Sequence, residues 1–145
     1  MNIAEDPIFN VVNKSIRRNI KIALENECYG AVIILVYSAI DTLAFLSMPK
    51  SQEDVQRQDF IDWVEKYLHF PCKEQLTGLD VYGARCGMLH NFSVYSKLSR
   101  EGKCRRLLYA DKLKPEIKYD PSISKEDVMV SPTFASLTDL SPVTI

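Results

Sequence analysis

Ala31-Val32-Ile33-Ile34-Leu35-Val36-Tyr37-Ser38-Ala39-Ile40-Asp41-Thr42-Leu43-Ala44-Phe45-Leu46 is the stretch whose reading decides the fold. Its β-branched start suits a buried strand as well as a helix. Length decides for the helix. The run continues from Gly30 to Met48 with no turn signal before Pro49, and Ala39, Leu43, Ala44 and Leu46 are good helix formers. A helix that is apolar nearly all round belongs at the centre of a bundle. Asp41 is its only charge. Two readings fit: a carboxylate at the bundle edge, capping or paired, or one that orients a catalytic cation.

Other helices extend to either side. From about Asp6 to Glu27, Ile8, Val11, Val12, Ile16, Ile20 and Leu24 recur at helical spacing, while Lys14, Arg17, Arg18 and Lys21 lie mainly off that stripe. Asp6-Pro7 supplies a cap and first turn. Ser51-Gln52-Glu53-Asp54 resembles a capping box ahead of a stripe formed by Phe60, Trp63, Val64, Tyr67 and Leu68, which reads as core. Pro71 stops that helix, leaving His69 as a surface or capping histidine. Leu79 to about Phe92 is the next helix. Gly83 and Gly87 lie one turn apart on it, at a cost of about 1 kcal/mol each against alanine. Either they are merely tolerated, or something packs closely against them. Arg105 to Tyr109 reads as a short strand or helix end, and Val128-Met129-Val130 as a short strand within an otherwise extended tail. The expected architecture is all-α: a four- to five-helix up-and-down bundle over residues 1–110, with a mostly extended segment, 111–145, packed on the domain or on a partner.

The totals limit the function classes. The 145 residues suffice for one domain with a single core, and a net charge of −1 gives no global pull toward nucleic acid or membrane. The charge is instead divided. Residues 97–118 carry eight Lys/Arg against three Asp/Glu, whereas 119–145 carry one against four, so any anion site must be local. Cys28, Cys72, Cys86 and Cys104 form no C-x-x-C pair, and with His69 and His90 the only histidines, no metal site is expected. Scattered cysteines and the absence of a basic-then-apolar start fit a reducing cytoplasm. Ala31 to Tyr37, the longest wholly apolar stretch, is too short to span a bilayer.

Arg85 and His90 are the pair most suggestive of chemistry. A permanent cation close to a histidine, a residue type that titrates near neutral pH, is a minimal kit for phosphodiester chemistry. The arginine can hold a phosphate bidentately and the histidine can move a proton. A purely structural reading also fits: Arg85 in a salt bridge with a carboxylate such as Asp41 or Asp80, and His90 set against the C-terminal dipole of its helix. About 500° of turn separates the two residues, which leaves them roughly 140° apart round an ideal helix.

The succession Tyr37-Ser38-Ala39-Ile40-Asp41-Thr42-Leu43-Ala44, Phe60-Ile61-Asp62-Trp63-Val64, then Asp80 through Arg85 to His90, then Ser96-Lys97-Leu98-Ser99-Arg100 resembles the HEPN superfamily over roughly residues 8–109. That resemblance implies a helical bundle that dimerises and places Arg85 and His90 of both subunits in one interfacial cleft. It implies a metal-independent endoribonuclease of toxin–antitoxin or antiphage type, without cofactor, cutting RNA through attack by the RNA's own 2′-OH. Asn91 and Asp41 would support the site, and Lys97, Arg100, Lys103, Arg105 and Arg106 would grip flanking phosphates. An antitoxin or a defence-complex protein would be the partner. Cys86 stands where the family usually has a polar residue, and Asn91 is expected to take over that role. Phe92 stands where one branch carries a tyrosine that its antitoxin modifies. The alternative within the same fold is an inactive RNA- or nucleotide-binding or scaffold subunit of a defence complex.

Overall fold

The computed structural model describes residues 6–69 and 76–109, and the backbone of 127–130. Along these residues run α1 (Pro7–Phe9), a π-helical segment (Asn10–Arg17), α2 (Arg18–Glu25), α3 (Tyr29–Leu46), α4 (Arg57–Tyr67), α5 (Gly78–Asn91), α6 (Lys97–Arg100), β1 (Arg106–Tyr109) and β2 (Asp127–Val130). The fold is all-α, with one short strand pair added.

The apolar run at 31–46 forms α3, and its circumference is shared between two clusters. Ile33, Tyr37, Ile40 and Ala44 face the larger one, where they meet Phe60, Trp63 and Val64 of α4 and Val81, Ala84 and Met88 of α5. Val32 and Ala39 join the smaller one with Ile20 of α2. Two burial faces explain why the sequence of α3 shows so little polar side. Each large side chain fully removed from water, such as Phe60 or Val64, contributes about 1.5–3 kcal/mol. By length and composition α3 is also apolar enough to cross a membrane. The helix is longer than the run Ala31–Tyr37, and here it packs against α2, α4 and α5.

The N-terminal helix departs from its expected packing. Asp6 caps it as anticipated, Oδ1 accepting from the backbone N–H of Ile8 at 2.8 Å and of Phe9 at 3.1 Å. Yet only Ile20 of the expected stripe is buried, and Ile8 and Val11 are exposed. The cause is the π-helical stretch, in which Arg18 N–H reaches back five residues to Asn13 C=O. Wider turns slip the stripe round the axis, so a face that is continuous at 3.6 residues per turn no longer meets α3 along its whole length. The cap of α4 also differs. Gln56 and Asp59 form the capping box, and Ser51 lies well before it. Asp59 accepts from Gln56 N–H and from the Gln52 amide, both at 2.6 Å.

Both short strands are present, and β1 and β2 run parallel, with Arg106 opposite Asp127 and Tyr109 opposite Val130. The backbone of 127–130 is thus extended and docked on the domain. The remainder of the expected tail, and Pro71, lie outside the described residues. Leu107 of β1 enters the main core, and the Tyr109 hydroxyl hydrogen-bonds with that of Tyr37 on α3. Burial pushes the Tyr109 phenol up to about 12.

The two glycines of α5 have a packing reason. A Cβ on Gly83 would run into Cys104 Sγ, and one on Gly87 into the backbone carbonyls of Ser93 and Tyr95. Together they open a shallow track on α5 along which the chain from Ser93 to Cys104 returns. Gly87→Ala should therefore destabilise by about 1–3 kcal/mol through overpacking, despite the roughly 1 kcal/mol gained in helix propensity. The midpoint of urea-induced unfolding measures it; an unchanged or higher midpoint would contradict the close approach.

Candidate functional site

The start of α5 is fixed by Asp80. Its backbone N–H donates to Thr77 Oγ1 at 3.1 Å, and its own Oδ2 accepts from Thr77 N–H at 3.0 Å, closing a capping box. The same carboxylate accepts from the Arg105 backbone N–H at 2.8 Å, from Arg105 Nε at 3.0 Å and from Nη2 at 2.6 Å. Asp80 is only 3% exposed. Burial pushes its carboxyl up, but the Arg105 guanidinium and the N–H groups of Thr77 and Arg105 outweigh that and hold it below the usual range. At the other end, Phe92 closes α5 in the left-handed region, with φ 49°, and its ring lies over Gly30.

Arg85 pairs with Asp41, which fits both readings of that carboxylate and also the purely structural reading of Arg85. Nε and Nη2 both donate to Asp41 Oδ2, at 3.1 and 2.9 Å. The pair is neither sealed nor free, with side chains 22% and 29% exposed. Asp41 therefore holds one edge of the guanidinium at the margin of the core and sets its direction. The Arg85 guanidinium also lies 5.9 Å from the ring centre of Tyr82, and the Arg57 guanidinium lies at the same distance from that ring. The Cys86 thiol interacts with the Tyr82 and Arg85 side chains, so the cysteine at this position makes polar contacts of its own. Asn91, expected to supply that polarity, is exposed at the end of α5 beside His90.

His90 is exposed in the last turn of α5 and makes no hydrogen bond or ion pair among the described residues. Because α5 is continuous from Gly78 to Asn91, Arg85 and His90 keep their roughly 140° separation. One chain alone does not aim both at a single atom. A groove of about 470 Å³ opens elsewhere, near the start of α5, lined among others by Thr77, Asp80, Ser99, Lys103 and Arg106.

The basic residues expected to meet RNA divide into two kinds. Arg105 is committed to the fold through Asp80. Arg106 donates to the Tyr95 hydroxyl at 2.9 Å and lies over its ring. Lys97 and Lys103 are exposed and share Glu101, at 3.8 and 2.6 Å, and Arg100 is exposed beside them. His69 is exposed, as anticipated. Among the described residues no three His, Cys, Asp or Glu side chains converge as metal ligands. Cys72 lies outside those residues.

No protein family, curated protein or solved structure matches this chain.

Sequence reasoning passed over Tyr82 and Arg57. Tyr82 precedes Arg85 by three positions and so shares its helical face, a relation that spacing alone displays. Arg57 comes from another helix, and no local pattern announces it.

Replacing Asp80 with Asn should cost about 2–4 kcal/mol near neutral pH, since it breaks a largely buried pair and leaves Arg105 without its counter-charge. The folded-state pKa lies below the model-compound value of 3.8, so the wild-type advantage is full above that value and lost as pH falls through the depressed pKa. Chemical denaturation of both proteins between pH 7 and pH 2 measures it; a constant difference across that range would contradict the assignment.

Proposed function

We propose that this chain is a dimeric, metal-independent endoribonuclease of HEPN type, of the toxin or antiphage class. The observation that supports the reading over a purely structural pair is that Asp41 engages only one edge of an Arg85 guanidinium that stays partly exposed. A carboxylate on the central helix aims the arginine while engaging only the Nε–Nη2 edge of its fork, and an exposed histidine stands further along the same helix. Facing copies of α5 across a two-fold axis would join Arg85 of one subunit to His90 of the other, which the angular separation within one helix otherwise prevents.

In this mechanism His90 takes the proton from the RNA 2′-OH, whose oxygen attacks the adjacent phosphorus. Arg85 stabilises the charge that develops on the phosphoryl oxygens. The P–O5′ bond breaks, and the leaving oxygen takes a proton from an acid in the same cleft, a task open to the partner subunit's His90. The products are a 2′,3′-cyclic phosphate and a 5′-hydroxyl. The nucleophile belongs to the substrate, so DNA is not cut. Lys97, Arg100 and Lys103 are the exposed cations suited to flanking phosphates.

A second reading has one observation in its favour. Asp41 already offsets part of the Arg85 charge, which suits a subunit that binds RNA or nucleotide without cleaving it.

Purified protein in EDTA should cut a mixed RNA pool. His90→Ala should lower the rate by about 10²–10⁴-fold with unchanged thermal stability, and Arg85→Ala by about 10²–10³-fold. End-group analysis should find cyclic phosphates. Cutting that persists in both variants would exclude the nuclease reading. RNA binding without cutting by the wild type would favour the second.

A further inference from the structure

Tyr82 sits between two cations from different helices. Arg57 opens α4 and Arg85 lies in α5, and each guanidinium carbon is 5.9 Å from the centre of the same ring. The two are therefore within about 12 Å of one another. They differ in their counter-charges. Arg85 has Asp41, whereas Arg57 is exposed and makes no hydrogen bond or ion pair among the described residues. Neighbouring carboxylates on α4 are engaged by other groups. Asp59 accepts from Gln56 and Gln52, and Asp62 accepts from the Gln58 amide. Among the described residues Asp41 is the one carboxylate paired with either arginine. Nothing in the packing of Tyr82 calls for Arg57, since the ring is already held edge-on by Phe60 at 5.4 Å.

We infer that Arg57 and Arg85, converging on the half-exposed ring of Tyr82, form a two-arginine binding site for the phosphates of single-stranded RNA. The inference rests on reading the chain as a protein that acts on RNA. Guanidinium forks match phosphate oxygens bidentately. A separation within about 12 Å suits neighbouring phosphates of one strand. Arg57 thus supplies grip from α4 while Asp41 keeps Arg85 aimed. Salt screens the mutual repulsion of the two cations, so the site can stand empty without distorting the fold.

Binding of a fluorescent 2′-O-methylated 12-nucleotide RNA of mixed sequence, followed by anisotropy over a salt series, tests the site. This probe lacks the 2′-hydroxyl nucleophile and reports binding alone. Arg57→Ala should weaken binding about three- to tenfold and lower the slope of log K against log salt by about 0.7, the loss of one phosphate contact. Arg57→Lys should restore the slope, and Arg57→Glu should weaken binding further than alanine does. Unchanged affinity and slope in Arg57→Ala, or no binding by the wild type, would overturn the inference. A wild type that binds this probe through Arg57 yet never cuts natural RNA would overturn the nuclease reading and leave this site standing. Efficient cutting of natural RNA with Arg57 irrelevant to binding would do the reverse.

Discussion

The carboxylate of Asp80 does two jobs that the remaining architecture relies on. It closes the capping box that starts α5, and it receives the backbone and the guanidinium of Arg105. A charge that is 3% exposed needs that many partners, because desolvation alone would neutralise it. Through Arg105 it fixes where β1 begins, and β1 delivers Leu107 to the core and Tyr109 to Tyr37. The course of the chain after α5 is thus tied to the helix start rather than to its end. Those same contacts tie the Arg105 guanidinium to the fold.

Asp41 and Arg85 divide differently between structure and chemistry. The pair is too exposed to count as a core element, and an ion pair of this kind contributes little net stability. What it supplies is direction. An unrestrained arginine side chain carries about 2 kcal/mol of rotamer entropy, and a guanidinium already fixed by a carboxylate loses less of it on meeting a phosphate. The same contact offsets some of the charge that a phosphate would feel. Aim and neutralisation come from one hydrogen-bonded edge, which is why a cation from α4 with no carboxylate of its own bears on how the site is read.

Much of the fold is visible in the residues because it follows from local periodicity. The all-round apolarity of 31–46 announces a central helix, and the helix from Leu79 to about Phe92 is legible with its two glycines, though not the Thr77 cap that starts it. Val128-Met129-Val130 shows its strand character in two β-branched residues, whereas Arg105 to Tyr109 reads from sequence as either a short strand or a helix end. The N-terminal helix is visible as a helix but not in its phase, since the π-helical turns of 10–17 leave no mark in a stripe counted at 3.6 residues per turn. Side-chain pairing is the least legible layer. Asp41 and Asp80 were both plausible partners for Arg85, and the choice between them depends on where α3 lies against α5. Arg57 meets Tyr82 only because α4 packs across α5, a relation that no spacing within either helix encodes.

The glycine track on α5 orders events in time. The stretch from Ser93 to Cys104 has no surface of its own to fold upon. Its seat is the bare backbone at Gly83 and Gly87, which exists only after α5 has formed and docked on α3. This stretch can therefore settle only after that helical frame is in place. Hydrogen exchange would resolve two tiers, a slow one through α3, α4 and α5 and a faster one from Ser93 to Cys104.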